Sequence, residues 1–152
     1  MKSGVAFDPA SLPLPTATLP TRGVIHVRVR YCECDPMGVA HHAVYPIWFE
    51  IARTELLRAG GVTYAQLESA GIFLVIARIE CRYKRPARYD DHLEIRAAVT
   101  KATRVKIEHA YEVWRPHATL GLELCTEATS TLACVDGAGH PRALPEWMTA
   151  KH

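Results

Sequence analysis

The sequence predicts an α+β fold in which a curved antiparallel sheet of about five strands wraps around one long central helix. Three observations carry this prediction. Five segments alternate apolar and polar residues, one segment repeats its apolar residues at helical spacing, and the connections between the last four strands are short. Strands with one apolar and one solvent-facing polar side, joined by short connections, are typical of antiparallel sheets. A single helix buries its apolar stripe most simply against such a sheet.

The composition divides the chain into an arm, residues 1–21, and a domain, residues 22–152. The first 20 residues hold four of the ten prolines and show no apolar period. Because proline supplies no backbone donor, we expect the arm to be flexible. The remaining length suits one domain with a substantial core.

The first strand and the helix after it show two different periods. The apolar side of the strand consists of Ile25, Val27, Val29 and Tyr31. The apolar residues of the helix are Val44, Ile47, Trp48, Ile51, Ala52 and Leu56. Pro46 fits a helix only in the first turn, so we expect the helix to begin close to His42 and to stop at Gly60–Gly61.

A short helix and four strands complete the domain. The helix is expected around Tyr64 to Ala70, ending at Gly71. The apolar sides of the next three strands are Val75, Ala77, Ile79, Cys81 and Tyr83, then Leu93, Ile95, Ala97 and Val99, then Val105, Ile107, His109, Tyr111 and Val113. The last strand runs from about Leu122 to Val135. The expected connections are Pro86–Asp91, Thr100–Arg104 and Arg115–Gly121.

Composition narrows the functional classes. With 49% hydrophobic residues, 22% charged residues and a net charge of +2, the chain is typical of an ordinary globular protein and gives no indication of nucleic-acid binding. No apolar run is long enough to span a bilayer, and the N-terminus does not read as a secretory signal. The five cysteines are then expected to be reduced thiols, and the expected location is cytoplasmic.

One stretch combines chemistry-bearing residues with a helix start. Asp35 begins a turn over Pro36–Gly38, and His41 and His42 follow directly before the helix. Asp35 is either a cap or turn residue, or a carboxylate held with an imidazole at the positive end of the helix dipole. The second interpretation suits carbonyl chemistry.

The pattern D-P-x-G-V-x-x-H-x-x-Y over Asp35 to Tyr45, followed by FEIARTELLR over Phe49 to Arg58, resembles the hot-dog-fold acyl-CoA thioesterases. The similarity is to the 4-hydroxybenzoyl-CoA thioesterase group and most closely to its Tol–Pal-associated branch. It extends over about residues 24 to 148. The resemblance implies an acyl-CoA substrate, no cofactor, no metal, and a homodimer or homotetramer with active sites at the subunit interface.

The resemblance also implies roles for individual residues. Asp35 is the expected catalytic carboxylate, with His42 as the catalytic histidine. Backbone amides of His42 and Ala43 are expected to stabilise the oxyanion, since a helix start offers unsatisfied N–H groups. The expected acyl pocket comprises His41, Val44 and Tyr45. Two of these depart from the branch, which usually has tyrosine in place of His41 and a small polar residue or asparagine in place of Val44, so the resemblance does not define the acyl group.

Other polar residues have two interpretations each. Lys84, Arg85 and Arg88 either contact the phosphates of coenzyme A or form a solvated basic strand face. Cys32 and Cys34, with the two histidines, lack the second ligand pair that a structural zinc site normally has, and the strand cysteines are expected to be small core residues. Glu50 is expected to pair with Arg53, and His109 is expected to be a satisfied core or interface histidine.

Two alternatives to a thioesterase belong to different classes. A hot-dog hydratase is disfavoured because the His-Phe-Pro-Gly type of motif is absent. A non-catalytic acyl-CoA-binding sensor or scaffold would use the same groove, and a partner in an envelope protein system is compatible with the resemblance. The arm shows no helix-turn-helix pattern that would indicate a DNA-binding regulator.

Overall fold

Five strands pair into one antiparallel sheet in the described part of the chain, which is residues 19–149 of a computed structural model. The strands are β1 (Arg22–Arg28), β2 (Phe73–Tyr83), β3 (His92–Ala102), β4 (Lys106–His117) and β5 (Gly121–Val135). Their order across the sheet is β1-β3-β4-β5-β2. Every neighbouring pair is antiparallel, which confirms the predicted α+β class and strand number.

The long helix, α1, spans Tyr45–Ala59. Its regular hydrogen bonding begins three residues after the predicted start at His42, because residues 42–44 first form a turn closed by the Val44 amide donating to the His41 carbonyl oxygen at 3.0 Å. Val44 already has helical backbone angles, φ −79° and ψ −32°. The turn therefore leads the chain into the helix, and Pro46 lies in the first turn as predicted. Gly60 ends α1, also as predicted.

The helix packs against the sheet through two apolar clusters. The first joins the N-terminal half of α1 to the middle of the sheet and includes Tyr45, Trp48, Phe49, Ala52, Leu93, Ile95, Tyr111, Val113 and Cys125. The second lies at the C-terminal end of α1 and includes Leu57, Val62, Leu67, Ile107, Leu132, Leu144 and Met148. Packing on both clusters holds one side of α1 and fixes the position of the helix start. Ile47 and Ile51, which the helical period assigned to the apolar stripe, are instead 53% and 41% exposed.

Two short helices close the second cluster. Helix α2 spans Tyr64–Ser69, close to the predicted range, and Thr63 caps it by accepting from the Gln66 amide while the Gln66 side chain accepts from the Thr63 amide. Helix α3 spans Glu146–Thr149 and contributes Met148 to the cluster. No helix among residues 19–149 is both long and apolar enough to cross a membrane.

Strand β2 is an edge strand with uncovered apolar side chains on both faces in the single chain. The exposed fractions are 44% for Val75, 44% for Ile76 and 38% for Ile79. The pairing register with β5 also shifts between Ile76 and Arg78, which interrupts the predicted alternation around Ala77. The side predicted by alternation is therefore wrong before the shift, where Ile76 and not Val75 shares a face with Ile79.

The ends of the first strand differ from the prediction. Tyr31 does not lie on the inward side of β1, because the strand ends at Arg28 and Tyr31 begins a 3-10 turn, Tyr31–Glu33, where it is 83% exposed. Before β1, Leu19 packs on the second cluster and the Thr21 carbonyl oxygen accepts from the Val99 amide at 2.8 Å. The flexible arm predicted for residues 1–21 otherwise lies outside the described residues.

Candidate active site

Asp35 opens a tight loop directly before the start of α1. The Gly38 amide donates to the Asp35 carbonyl oxygen, and the Asp35 amide donates to the Val39 carbonyl oxygen, both at 2.9 Å. Gly38 has φ +76°, a left-handed conformation that glycine adopts without a Cβ penalty. One carboxylate oxygen of Asp35 accepts from the Met37 amide at 2.9 Å. Asp35 is thus a turn residue and not a cap of α1, and its half-buried carboxylate retains a second oxygen for other contacts.

A buried carboxylate, Glu33, fastens this loop to the helix. It accepts from the Arg30 amide at 2.8 Å, from the Arg30 guanidinium at 2.8 Å and from the Trp48 indole at 3.3 Å. Its carbonyl oxygen accepts from the His41 amide. Burial alone would raise the pKa of Glu33, but the hydrogen bonds from Arg30 and Trp48 hold it below its usual value, so Glu33 is ionised at neutral pH.

The far side of the loop is fastened to the segment before β3. The Ala40 amide donates to the Ala87 carbonyl oxygen at 2.8 Å, and Val39 forms a bridge with Arg88. The Asp35 loop therefore lies between Glu33 and residues 87–88, which explains how a six-residue stretch without a regular element keeps one conformation.

The two histidines have different hydrogen-bonding partners. The His41 ring accepts from the Ala43 amide through Nδ1 at 3.1 Å, so it caps the turn that leads into α1. In the neutral ring the proton is then on Nε2. His42 is exposed, its amide has no acceptor among residues 19–149, and its ring lies 4.1 Å from the His41 ring, centroid to centroid. Of the two predicted oxyanion donors, the His42 amide is open and the Ala43 amide is occupied by His41.

Tyr83, at the end of the edge strand, is brought to the same place. Its hydroxyl donates to the His42 carbonyl oxygen at 2.8 Å, and its ring meets the Tyr45 ring edge-on at 5.1 Å. Tyr45 is buried, and its hydroxyl accepts from the Ala87 amide at 3.4 Å. Of the residues predicted to line an acyl pocket, His41 is exposed, Val44 is half-buried and Tyr45 belongs to the core in the single chain.

The three predicted phosphate contacts are not equivalent. Lys84 pairs with Glu127 at 2.7 Å and Arg85 with Glu123 at 3.5 Å, both on β5. The Arg88 side chain is exposed and makes no ion pair with any residue from 19 to 149. Because Arg88 also bridges to Val39, it is the cation that the fold brings to the Asp35 loop.

The cysteines and histidines do not assemble into a metal centre within the described range. No group of three or more His, Cys, Asp or Glu side chains among residues 19–149 is arranged to hold a metal ion. Cys32 is exposed, whereas Cys125 and Cys134 are buried as predicted. Burial raises the pKa of the Cys125 thiol to about 11 and also raises that of Cys134, so both remain neutral thiols.

Two other sequence predictions have clear outcomes. Glu50 pairs with Arg53 at 3.1 Å, as predicted. His109 is buried, as predicted, but its Nδ1 has no hydrogen-bond partner among the described residues. The expectation of a satisfied core histidine is therefore wrong at Nδ1, since the Ser130 hydroxyl opposite it on β5 is hydrogen-bonded to the Tyr111 hydroxyl instead. The alternative of an interface histidine stays a prediction.

Sequence reasoning missed Glu33 and Tyr83. A signal for Glu33 was available, since a buried tryptophan such as Trp48 normally requires an acceptor for its indole N–H. No local pattern links Tyr83 to His42, because 41 residues separate them in sequence.

Comparisons with known proteins place these features in a family context. A model of the thioesterase-like superfamily matches residues 29–151. The chain is 31% identical over 129 residues to a Bacillus subtilis protein named putative acyl-CoA thioesterase YneP, covering 82% of this chain and 91% of that protein. It is 33% identical over 126 residues to the acyl-CoA thioester hydrolase YbgC of Escherichia coli O6:H1, again covering 82% and 91%.

Solved structures show the same architecture. A DHNA-CoA thioesterase from Staphylococcus aureus aligns with a TM-score of 0.76 at 28% identity, covering 84% of this chain and 86% of that one. A 4-hydroxybenzoyl-CoA thioesterase aligns with a TM-score of 0.76 at 19% identity, over 85% of this chain and 97% of that one, and at this identity it shows the fold alone. The predicted hot-dog fold is confirmed.

Proposed function

The chain belongs to the thioesterase-like superfamily, and on this premise we propose that it hydrolyses acyl-CoA thioesters to a free acid and coenzyme A, with Asp35 as the catalytic carboxylate. The observation that carries the proposal is a half-buried carboxylate held in a fixed turn shortly before the start of α1. Two relatives that this chain matches over 82% of its length are named for acyl-CoA thioester chemistry, which supports the substrate class.

The helix start supplies the electrostatic part of the reaction. The partial positive charge at the N-terminus of α1 favours an oxygen that gains negative charge as the thioester carbonyl is attacked. The open His42 amide can donate to that oxygen directly. The Ala43 amide becomes available when the His41 ring turns away, since His41 Nδ1 occupies it in the free chain.

Asp35 supplies the bond-forming part, by one of two routes. As a nucleophile, its carboxylate oxygen bonds to the thioester carbon, the C–S bond breaks, and water then hydrolyses the resulting anhydride to restore the carboxylate. As a general base, it takes a proton from water while the water oxygen bonds to the same carbon, and that proton passes to the departing thiolate. In both routes the exposed His42 ring is suited to position water or to protonate the thiolate.

Substrate binding is proposed to use both sides of the Asp35 loop. His41, Val44 and Tyr45 lie at the helix start, where the acyl group must approach the reacting carbon. On the other side, Arg88 is free of carboxylate partners among the described residues and is the favoured contact for a coenzyme A phosphate, whereas Lys84 and Arg85 would first have to leave Glu127 and Glu123.

The active unit is proposed to be a homodimer or a pair of dimers. Edge strand β2 leaves Val75, Ile76 and Ile79 exposed, and an uncovered apolar edge of this kind normally pairs with another strand. A partner strand would lie beside Tyr83, which contacts His42, so a subunit interface would border the site. A partner from an envelope protein system is a weaker proposal, because no surface in the described chain points to a particular protein class.

Asp35→Asn tests the catalytic proposal. The amide is nearly isosteric, and its oxygen can still accept from the Met37 amide, so the turn should survive. We expect turnover, measured as thiol release across short, long and aromatic acyl-CoAs, to fall by about 100-fold or more. Acyl-CoA binding and the melting temperature should change little.

Asp136→Asn is the matched control. Asp136 opens a comparable turn after β5, where its carboxylate accepts from the Ala138 and His140 amides at 2.9 Å, away from the Asp35 loop. Its turnover should match that of the parent. If Asp35→Asn turned over acyl-CoA as fast as the parent, Asp35 would be a turn residue without a catalytic role. If the parent binds acyl-CoA but releases no thiol from any member of the panel, the protein is the sensor or scaffold of the alternative proposal.

A further inference from the structure

A pocket lies at the end of α1 that is opposite to the Asp35 loop. Its volume is about 360 Å³, at the lower end of the range of roughly 300–1,000 Å³ that is typical of small-molecule sites. The C-terminal half of α1, β3 and β4 contribute to its walls, together with residues 19–21, α2, the start of β2 and α3. Aliphatic side chains cover most of this surface, including Leu56, Leu57, Leu74, Val99, Ile107 and Met148.

Two buried nitrogen-bearing side chains line this apolar pocket. Only 5% of the Arg53 side chain and 5% of His109 are exposed. Glu50 occupies one terminal nitrogen of the Arg53 guanidinium, but Arg53 Nε and His109 Nδ1 have no hydrogen-bond partner among residues 19–149. Buried polar atoms in folded proteins are normally hydrogen-bonded, so these two atoms mark a polar part of the wall of an otherwise largely apolar pocket.

The charged residues that line the pocket favour a negatively charged ligand. Arg53 and, at the rim, the exposed Lys101 carry positive charge, and no Asp or Glu is among the described residues that line the pocket. Burial, and secondarily the charge of Arg53, lowers the pKa of His109 to about 4, so at neutral pH its ring is uncharged and can donate one hydrogen bond.

The pocket is separate from the proposed catalytic site. None of its described lining residues comes from the Asp35 loop or from the first two turns of α1. The buried Phe49 and Tyr111 rings, which stack with centroids 4.6 Å apart, belong to the first apolar cluster and do not line the pocket. Arg53 also lies eight residues beyond the start of α1, about 12 Å along the helix axis.

We propose that this pocket binds an apolar monocarboxylic acid, with the carboxylate on Arg53 and His109 and the hydrocarbon body among the aliphatic side chains. Guanidinium–carboxylate hydrogen bonds are charge-assisted and therefore stronger than those to a neutral hydroxyl. A monocarboxylate fits better than a phosphate, because one guanidinium partly neutralised by Glu50 offers little compensation for a dianion. The proposal does not depend on whether the chain hydrolyses acyl-CoA.

Methionine methyl groups provide a direct test that also distinguishes the two sites. Met148 lines the pocket, and Met37 lies exposed in the Asp35 loop. In the full chain carrying ¹³C-methyl methionine, octanoate should shift the Met148 signal in a saturable manner and leave the Met37 signal in place. Met148→Leu assigns the signal. 1-Octanol, which has the same hydrocarbon body without the charge, should bind at least tenfold more weakly.

Variants test the named contacts. Arg53→Met should abolish the preference for octanoate over 1-octanol while 1-octanol still binds. Lys101→Gln, at the exposed rim, should weaken octanoate binding by only about two- to fivefold. Lys106 is an exposed lysine on β4 outside the pocket, so Lys106→Gln should not change octanoate binding. If Arg53→Met does not fold, the octanoate and 1-octanol titrations of the parent chain still decide the outcome.

Several results would overturn the proposal. A shift of the Met37 signal alone would assign octanoate to the Asp35 site. Equal binding of octanoate and 1-octanol, or an unchanged preference in Arg53→Met, would remove the role of the charge. Absence of binding by either compound would mean that the pocket holds only water.

Discussion

At the scale of single residues, the two adjacent histidines before α1 make different contacts. The His41 ring is engaged with the Ala43 amide, whereas the His42 ring is exposed and its backbone is fixed by Tyr83. A side chain that is engaged with the backbone acts mainly on local structure, and one that is free can act on a substrate. This difference separates the expected effects of removing each ring.

We predict that His42→Ala slows acyl-CoA hydrolysis by roughly 10- to 1,000-fold, the scale of losing one polar catalytic contact. His41→Ala should reduce turnover less and alter the preference among acyl groups more. Turnover number and Michaelis constant measured on a panel of acyl-CoAs decide the matter. Equal losses of turnover in both variants would contradict the division of roles.

His109 gives the molecule a predictable response to acid. Its pKa is lowered to about 4, so between about pH 6.5 and pH 4 the unfolded chain binds a proton at this residue that the folded chain does not. The free energy of unfolding should therefore fall as the pH drops through this window. Relative to His109→Phe, which has no such proton, the parent should lose up to about 3 kcal/mol between pH 7 and pH 4 in urea titrations. Parallel pH curves for the two proteins would contradict this origin.

At the scale of elements, the start of α1 is the feature that the sequence located only approximately. Pro46 correctly restricted the first turn, but the sequence could not reveal that the His41 ring would accept from the Ala43 amide in the turn before the helix, because histidine is not a usual capping residue. The apolar alternation of β3 and β4 was predicted well, because it depends only on residues that are neighbours in the sequence. Exposure of β2, by contrast, depends on what lies beyond the sheet edge.

The cap predicts a stability effect that is independent of catalysis. His41→Ala should lower the free energy of unfolding by about 1 kcal/mol, because the Ala43 amide loses its acceptor, whereas His41→Asn should retain most of it, since asparagine is among the best capping residues. His42→Asn is the control and should leave stability within a few tenths of a kcal/mol of the parent. Urea titrations of all three variants measure the differences. Identical stabilities for His41→Ala and His41→Asn would show that the ring does not cap the turn.

At the scale of the whole molecule, the site is assembled from segments that are distant in sequence. Glu33, which is bonded to Trp48, holds the Asp35 loop from one side, and Ala87 holds it from the other. Tyr83 holds the His42 carbonyl oxygen just after the loop. The motif around Asp35 supplied the residues to which we assign the chemistry, but these cross-chain hydrogen bonds follow only from the sheet order, which places β2 at an edge. Periodicity therefore predicted the elements and the motif supplied the candidate site residues, while the links between them needed the tertiary structure.

The uncovered edge predicts self-association. Ile79→Lys, on β2, should shift the protein towards monomers in light scattering and sedimentation, because a charge would enter the proposed interface. Val24→Lys is the matched control, since Val24 is 53% exposed on β1, the other edge strand, and it should leave the assembly unchanged. A parent chain that is a stable, active monomer at micromolar concentration would contradict the interface.

The contact between Tyr83 and His42 links association through β2 to the rate of hydrolysis. Tyr83 ends β2, so separating two subunits would loosen the strand that holds the His42 carbonyl oxygen. The rate per mole of chain should then fall when the enzyme is diluted below its dissociation constant and should recover when the chain is concentrated again. A plot of specific activity against enzyme concentration would in that case be an association isotherm, and each assay of turnover would also report how many chains are paired.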